Sequence, residues 1–271
     1  MFPDAGGLSD DEMQSLAREL NLSETSFVLP AVVPGNAARV RIFTPTSEMK
    51  FAGHPTIGTA YALCALGRIP ADVTTFVLEE NIGPVPIRLE RRAGPFLAWL
   101  QTPPIRFGAS YDRDACALAL GLGTGDLLGD YPAQVVTAGN PFLFVALRDP
   151  SAVDRAELDV RGLERAAPWF SASGVFIFAP VPTGVYARMF APMSGIREDP
   201  ATGSATGPLA AYLVEHGLIE KRDGLRFVNE QGSKMQRRSL IHALLHVDGD
   251  TLRTVEIGGS AVKVIEATVE L

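Results

Sequence analysis

The chain repeats itself. Laid without a gap over Gly203–Ile219 (GSATGPLAAYLVEHGLI), the segment Gly53–Ile69 (GHPTIGTAYALCALGRI) shares Gly53/Gly203, Thr56/Thr206, Ala60/Ala210, Leu63/Leu213, Gly67/Gly217 and Ile69/Ile219. A second match precedes it in the same order: VRIFTP, ending at Pro45, and ARMFAP, ending at Pro192, agree at Arg, Phe and Pro. Two matches in one order mark two homologous halves, and 271 residues are enough for two domains of ordinary size.

Each repeat reads as a strand, a loop and a helix opened by glycine. The first helix is expected from about Pro55 to Leu66, before Gly67, and the second from about Pro208 to His216, before Gly217. Proline at the start and glycine past the end are ordinary helix punctuation. Both are apolar nearly all round, so each belongs at the centre of its half. Around them ARVRIFTP, TTFVLEE, VPIRLERR, FLAWLQTP, QVVTAG, FLFVAL, GVFIFAP, VYARMFAP, LIHALLHVDG and TVEIGGSAVKVIEATVEL read as strands. Each half also carries an outer amphipathic helix. In the first, Ser9 and Glu12 form a capping box, with Met13, Leu16, Ala17 and Leu20 on one face. The second is expected over Ala156–Phe170. The predicted fold is α+β: two homologous halves, 1–104 and 105–271, each a barrel-like, mostly antiparallel sheet wrapped around a central apolar helix. The last strand returns to the first half. The second outer helix follows a strand (VVTAGNPFLFVAL), the first only MFPDAGG. By internal analogy a strand and turn of about twenty residues, ~3.3 Å each in the strand, would complete the first half.

Composition narrows the function. The formal charge is −7, and basic residues form no denser run than Arg91–Arg92 and Arg237–Arg238, which argues against a nucleic-acid partner. No apolar run reaches the ~18 residues of a membrane span, and MFPDAGGLSDDEM lacks a signal peptide's basic start and apolar core. The expectation is a cytoplasmic protein with no membrane partner. Cys64 and Cys116 lie in apolar stretches and read as buried, reduced thiols. His242 and His246 have the i, i+4 spacing of helical zinc pairs, but their segment is strand-like and offers no third ligand, so no metal is expected. The chain has neither a GK[ST] phosphate loop nor a GxGxxG turn after a strand. No cofactor is expected.

The chemistry gathers around GIREDPATGSATGPLAAYL and FAGHPT. A helix start presents unpaired N–H groups and a positive dipole end, and so attracts carboxylates. Glu198 reads as a cap or a surface acid, Asp199 as a group that could hold a substrate amine or hydroxyl, and Glu48 as structural. Glu24, between Ser and Thr, would ordinarily be a solvated loop residue. Its counterpart stretch in the second half, FSASGVFIF, has no acid, so Glu24 is not part of the shared scaffold. A carboxylate desolvated in an apolar cleft gains the basicity for proton abstraction and return near neutral pH.

LNLSETSFVLP, RIFTPTSEMKFAGHPTIGTA, GIREDPATGSATGPLAAYL and EQGSKMQRRS occur in that order. Together they resemble the PhzF-like phenazine-biosynthesis isomerase family, which has the diaminopimelate-epimerase type of fold. The resemblance implies an active site in the cleft between two halves and Glu24 as the catalytic base and acid. It places Gly53, His54, Asp199, Gly203 and Ser204 among the groups that bind a small carboxylate-bearing substrate. It implies a homodimer and a cofactor-independent isomerisation in which one glutamate moves a proton. Members usually begin with a strand and a GNP turn before the segment matching MFPDAGGLS, and this sequence departs there. Two readings stand beside it: an epimerase or racemase with Glu24 and Asp199 as opposed bases, and a non-catalytic ligand-binding relative. Related two-thiol racemases carry cysteines near the positions of His54 and Ser204, and this chain has none at either, which argues against thiol chemistry.

Overall fold

A computed structural model of the chain describes residues 1–92, 94–167 and 174–270. The chain divides into two compact units: Met1–Gln101 with Gly258–Leu271, and Thr102–Ile257.

The first unit contains α1 (Asp10–Leu20), β1 (Thr25–Leu29), β2 (Ala38–Phe43), β3 (Glu48–Met49), α2 (Gly53–Ala65), β4 (Thr75–Glu80), β5 (Gly83–Arg92) and β6 (Gly94–Gln101). Its strands run β1-β2-β4-β5-β6, with β3 on β2. Every pairing in that row is antiparallel except β2 with β4, because α2 carries the chain over between them. The Ser9–Glu12 capping box is present: Ser9 Oγ accepts from Glu12 N–H at 3.3 Å, and Glu12 Oε2 accepts from Ser9 N–H at 2.7 Å. The helix buries Met13, Leu16 and Ala17 beside Phe27 and Phe43. Leu20, expected on that face, stays exposed in the last turn, where Asn21 turns left-handed (φ 49°) and ends the helix. Cys64 is half-buried, not fully buried as expected, on a side of α2 whose other residues, His54, Tyr61 and Ala65, are also part-exposed or exposed.

The second unit contains β7 (Arg106–Tyr111), α3 (Arg113–Ala119), β8 (Ala133–Thr137), β9 (Pro141–Ala146), α4 (Pro150–Arg155), α5 (Val160–Ala166), β10 (Gly174–Val181), β11 (Gly184–Ala191), β12 (Ile196–Asp199), α6 (Gly203–Glu215), β13 (Arg226–Gln231), β14 (Ser239–Asp248) and, up to Ile257, β15 (Thr251–Gly259). The strands run β15-β14-β13-β11-β10-β9-β8-β7, with β12 on β11. Strand β10 is covered on both faces, so it reads as a continuous apolar run instead of an alternating one. Val175, Ile177 and Ala179 join the core that α3, α4 and α5 cover. Phe178 meets Tyr212 of α6 edge-on, and Phe176 packs on Phe144, which also packs on Tyr212.

Three sequence expectations change here. Helix α6 begins at Gly203, five residues before Pro208, which lies inside it. Proline removes one intrahelical hydrogen bond there, and the burial of Ala205, Thr206 and Leu209 in the same turns holds the helix together. Within the outer helix expected over 156–170 the described helix is the shorter α5, started at its own aspartate cap, Asp159; a separate helix, α4, capped by Asp149, ends at Arg155 before that stretch begins. The expected helix's stretch 168–170, and residues 170–173 of FSASGVFIF, lie outside the described residues. The final strand stops at Gly259, and residues 260–270 are in no strand, largely exposed, with Val262 and Val264 open to solvent.

The repeat is visible as β2-β3-α2-β4 against β11-β12-α6-β13. In each, a strand, a short antiparallel partner and a buried helix return the chain to a parallel strand. Where the second unit sets β9 parallel to β10, the first has a single parallel bridge, Phe2 to Phe27, with the two rings stacked 4.9 Å apart. Close packing fixes α6 in its unit: a Cβ added at Gly207 would meet Thr102 Cγ2 at 2.3 Å, and Thr102 Oγ1 is itself tied to the Val255 carbonyl at 2.9 Å. Gly207→Ala is therefore expected to destabilise the protein by about 1–3 kcal/mol, measured by urea unfolding.

Candidate active site

The first unit brings Glu24 and His54 together. Glu24 sits between a fixed helix end and a fixed strand: Asn21 closes α1 with its N–H on Ala17 O, and Thr25 opens the buried strand β1. Its side chain is 13% exposed, and Oε2 lies 2.9 Å from His54 Nε2. Glu24 Oε2 is buried and accepts no well-aligned hydrogen bond. The imidazole, half-exposed, projects from the second residue of α2. A carboxylate oxygen kept from water beside an open imidazole can take or return a proton without first losing a hydrogen-bond partner.

The helix start that carries Gly53 and His54 has no cap. Among the described residues, α1, α3, α4 and α5 each have a side chain accepting from the first turn, namely Ser9, Asp112, Asp149 and Asp159. Helices α2 and α6 have no side-chain cap and no acid in the first turn. These are the two repeat helices, and their first-turn amides stay available to an anion.

In the second unit, Asp199, Gly203 and Ser204 lie within one short stretch, at the end of β12 and the start of α6. Thr202 occupies the cap position, but its hydroxyl is engaged elsewhere. It donates to Asp199 Oδ2 at 2.6 Å and accepts from Gln231 Nε2 at 2.9 Å. Gln231, fully buried, also donates to Asp199 O at 2.7 Å and accepts from Thr202 N–H at 3.1 Å. Asp199 thus keeps the threonine from capping its own helix. Gly203 is buried and Ser204 half-buried at the resulting start.

Glu198 is neither a helix cap nor a loose surface acid. It pairs in two places with Arg188, Nε to Oε1 at 2.8 Å and Nη2 to Oε2 at 2.9 Å. Arg188 also donates to the carbonyls of Val153, Asp154 and Ala156, and lies over the Phe190 ring. The first unit repeats the arrangement. Arg41 pairs in two places with Glu48 at 2.7 Å each and lies over Phe43, so Glu48 is structural, as expected. Arg41 also contacts the exposed Asp10. The Arg41 hydrogen bonds hold the Glu48 carboxyl below the usual range. The arginine and phenylalanine of VRIFTP and ARMFAP are therefore a clamp, one in each unit. Sequence reading found their identity but not their partners, because Glu48 and Glu198 stand at different spacings from them.

Neither cysteine lies at a helix start, and burial, with Asp112 nearby, pushes the Cys116 thiol up to about 11. His242 and His246 fall on strand β14, and His246 lies 3.7 Å from Glu256. Among the described residues no three potential metal-binding side chains cluster, and no helix is long and apolar enough to cross a membrane.

Two units built on one β–α–β plan, each with an uncapped buried helix start, define an α+β protein of the diaminopimelate-epimerase type. The family described as phenazine biosynthesis-like protein matches residues 1–267, and the chain belongs to it. A trans-2,3-dihydro-3-hydroxyanthranilate isomerase from Pseudomonas chlororaphis is 37% identical over 271 residues, covering 100% of this chain and 92% of that protein. The crystal structure of a PhzF-family phenazine biosynthesis protein from Bacillus anthracis superposes with a TM-score of 0.89 at 26% identity, over 99% of this chain and 91% of that one. A probable proline racemase from Agrobacterium radiobacter shares the fold, with a TM-score of 0.66 at 16% identity over 97% of this chain and 82% of that one.

Proposed function

We propose that the protein is a cofactor-independent isomerase of a small cyclic carboxylate bearing an amine or hydroxyl. Trans-2,3-dihydro-3-hydroxyanthranilate, for which the P. chlororaphis relative is named, is the first compound to try. Glu24 takes a proton from one carbon, the double bond shifts, and the same carboxyl returns the proton to a carbon two bonds away. His54 steadies the carboxyl and meets a polar group of the substrate. The uncapped amides at the Gly53 helix start suit a carboxylate or other anionic oxygen, and within the second unit the Gly203 helix start, Ser204 and Asp199 offer groups suited to an anionic oxygen, an amine or a hydroxyl.

One observation carries this reading: a buried Glu24 oxygen with no aligned donor, 2.9 Å from the imidazole of a helix start that no side chain caps. Asp199 suits binding better than a second-base role, because its Oδ2 already accepts from Thr202. The test is turnover in deuterium oxide. A single-glutamate shift moves the double bond and alters only the newly saturated carbon, which gains one deuterium where the Glu24 carboxyl exchanges with solvent before returning the proton and none where it returns the substrate's own. Loss of chirality at one carbon with the double bond unmoved would instead identify two-base epimerisation.

A further inference from the structure

Beneath the α2 start lies an acid that the proposed chemistry leaves unused. Glu80, the last residue of β4, is 3% exposed, and its Oε2 is buried without a hydrogen-bond partner. Its Oε1 lies 2.5 Å from Thr56 Oγ1, which lies 2.7 Å from the Ala52 carbonyl. A threonine hydroxyl has one proton and cannot donate to both oxygens. Both contacts are satisfied when Glu80 supplies the second proton, donating to Thr56, while Thr56 donates to Ala52.

The second unit has the same circuit built from amides. Thr206 Oγ1 donates to the Thr202 carbonyl and accepts from Asn229 Nδ2 at 2.9 Å. By strand register, Ala38 opposite Leu78 corresponds to Val185 opposite Asn229, which sets Glu80 in the place of Gln231. One unit thus braces its helix start with groups that cannot titrate, and the other with an acid.

We propose that Glu80 is a positioning residue for the Glu24–His54 pair: as the neutral acid it donates to Thr56, which anchors the Ala52 carbonyl and so fixes the helix start that carries Gly53 and His54. Ionised, it would be a second acceptor against the same hydroxyl and an unpaired buried charge. Burial raises Glu80 to about 7. The other titratable groups bordering this helix start are His54 and Lys50 on the helix and turn, Glu24 before β1, and the Arg41–Glu48 pair on β2 and β3, whose Glu48 accepts from Asn81 next to Glu80. The inference rests on reading Glu24 and His54 as the active pair, and its test has an arm that needs no substrate.

That arm follows the Gly53 amide and the His54 ring by NMR from pH 5 to 9 in the native chain, Glu80→Gln and Glu80→Leu, with thermal midpoints at each pH. A raised acid stabilises fully below its unfolded pKa, and that contribution is lost as pH rises to the folded value. The native midpoint should therefore fall between about pH 4.5 and 7 relative to Glu80→Gln. The native Gly53 amide should show a titration step near pH 7, distinct from the step that the His54 ring itself reports, and Glu80→Gln should lack it. In the deuterium assay, Glu80→Gln should stay within about twofold of native at pH 6 and lose less activity above pH 7, while Glu80→Leu should fall about tenfold through kcat with KM little changed. An identical step in Glu80→Gln, or a Leu variant with native signals and native kcat, overturns the proposal. If no protein turns over but the step vanishes in Glu80→Gln, the isomerase reading fails and the positioning role of Glu80 stands.

Discussion

Glu24→Gln is expected to lower kcat of the double-bond shift by about 10²–10⁴-fold, the usual range for removing a general acid–base group. The amide has nearly the shape of the acid, so the thermal midpoint should stay close to native and substrate binding should weaken little. Loss of kcat at near-constant KM is the mark of a group that acts in the transition state. Glu24→Asp is informative beside it, because shortening the side chain withdraws the carboxyl from its place 2.9 Å from His54 Nε2. It should recover part of the activity. Near-native kcat in Glu24→Gln would remove the proton-shift mechanism altogether.

The largest effect on stability is expected at Arg188→Leu, about 3–5 kcal/mol, with a fall in thermal midpoint of about 10 °C. The guanidinium is 9% exposed, and its removal strands the Glu198 carboxylate and the carbonyls of Val153 and Ala156, where water has little access. Arg41→Leu should cost less, since its clamp is more open: Glu48 is 25% exposed and Asp10 80% exposed. Chemical unfolding of the two variants side by side measures the difference. Equal losses would mean that the carbonyl bonds of Arg188 add nothing to the ion pair. The Arg188 clamp also bears on function, because Glu198 immediately precedes Asp199 on β12.

The frame of both units was legible because it is written locally. Gly53/Gly203 and Thr56/Thr206 fall at matching places in two helices, and VRIFTP and ARMFAP announce the strands before them. The start of α6 was misread because Pro208 resembles a first-turn proline, whereas burial of the preceding turn carries the helix past it. Residues 260–270 have the β-branched composition of a strand, yet no strand among the described residues takes them as a partner, and composition alone cannot supply one. Glu80 and Gln231 escaped notice for another reason. Each braces a helix start from a strand more than twenty residues downstream, and only the parallel register of β4 on β2 and β13 on β11 brings them there. Gln231 lies within the EQGSKMQRRS motif, but nothing nearby in sequence indicates that its amide serves Thr202.

The clamp and the helix starts divide the positions of the duplication into two kinds. Arginine, phenylalanine, glutamate and the helix threonine recur in both units and are spent on architecture. Met49 and Asp199, Ala52 and Thr202, His54 and Ser204, and Glu80 and Gln231 occupy matched places with different chemistry. Duplication has thus left a set of paired sockets in which the frame is constant and the fitting varies. A residue transplanted from one socket to its twin meets a backbone already shaped for it. Altered ligand preference in this fold is therefore accessible through exchanges between the chain's own halves, without redesign of either sheet.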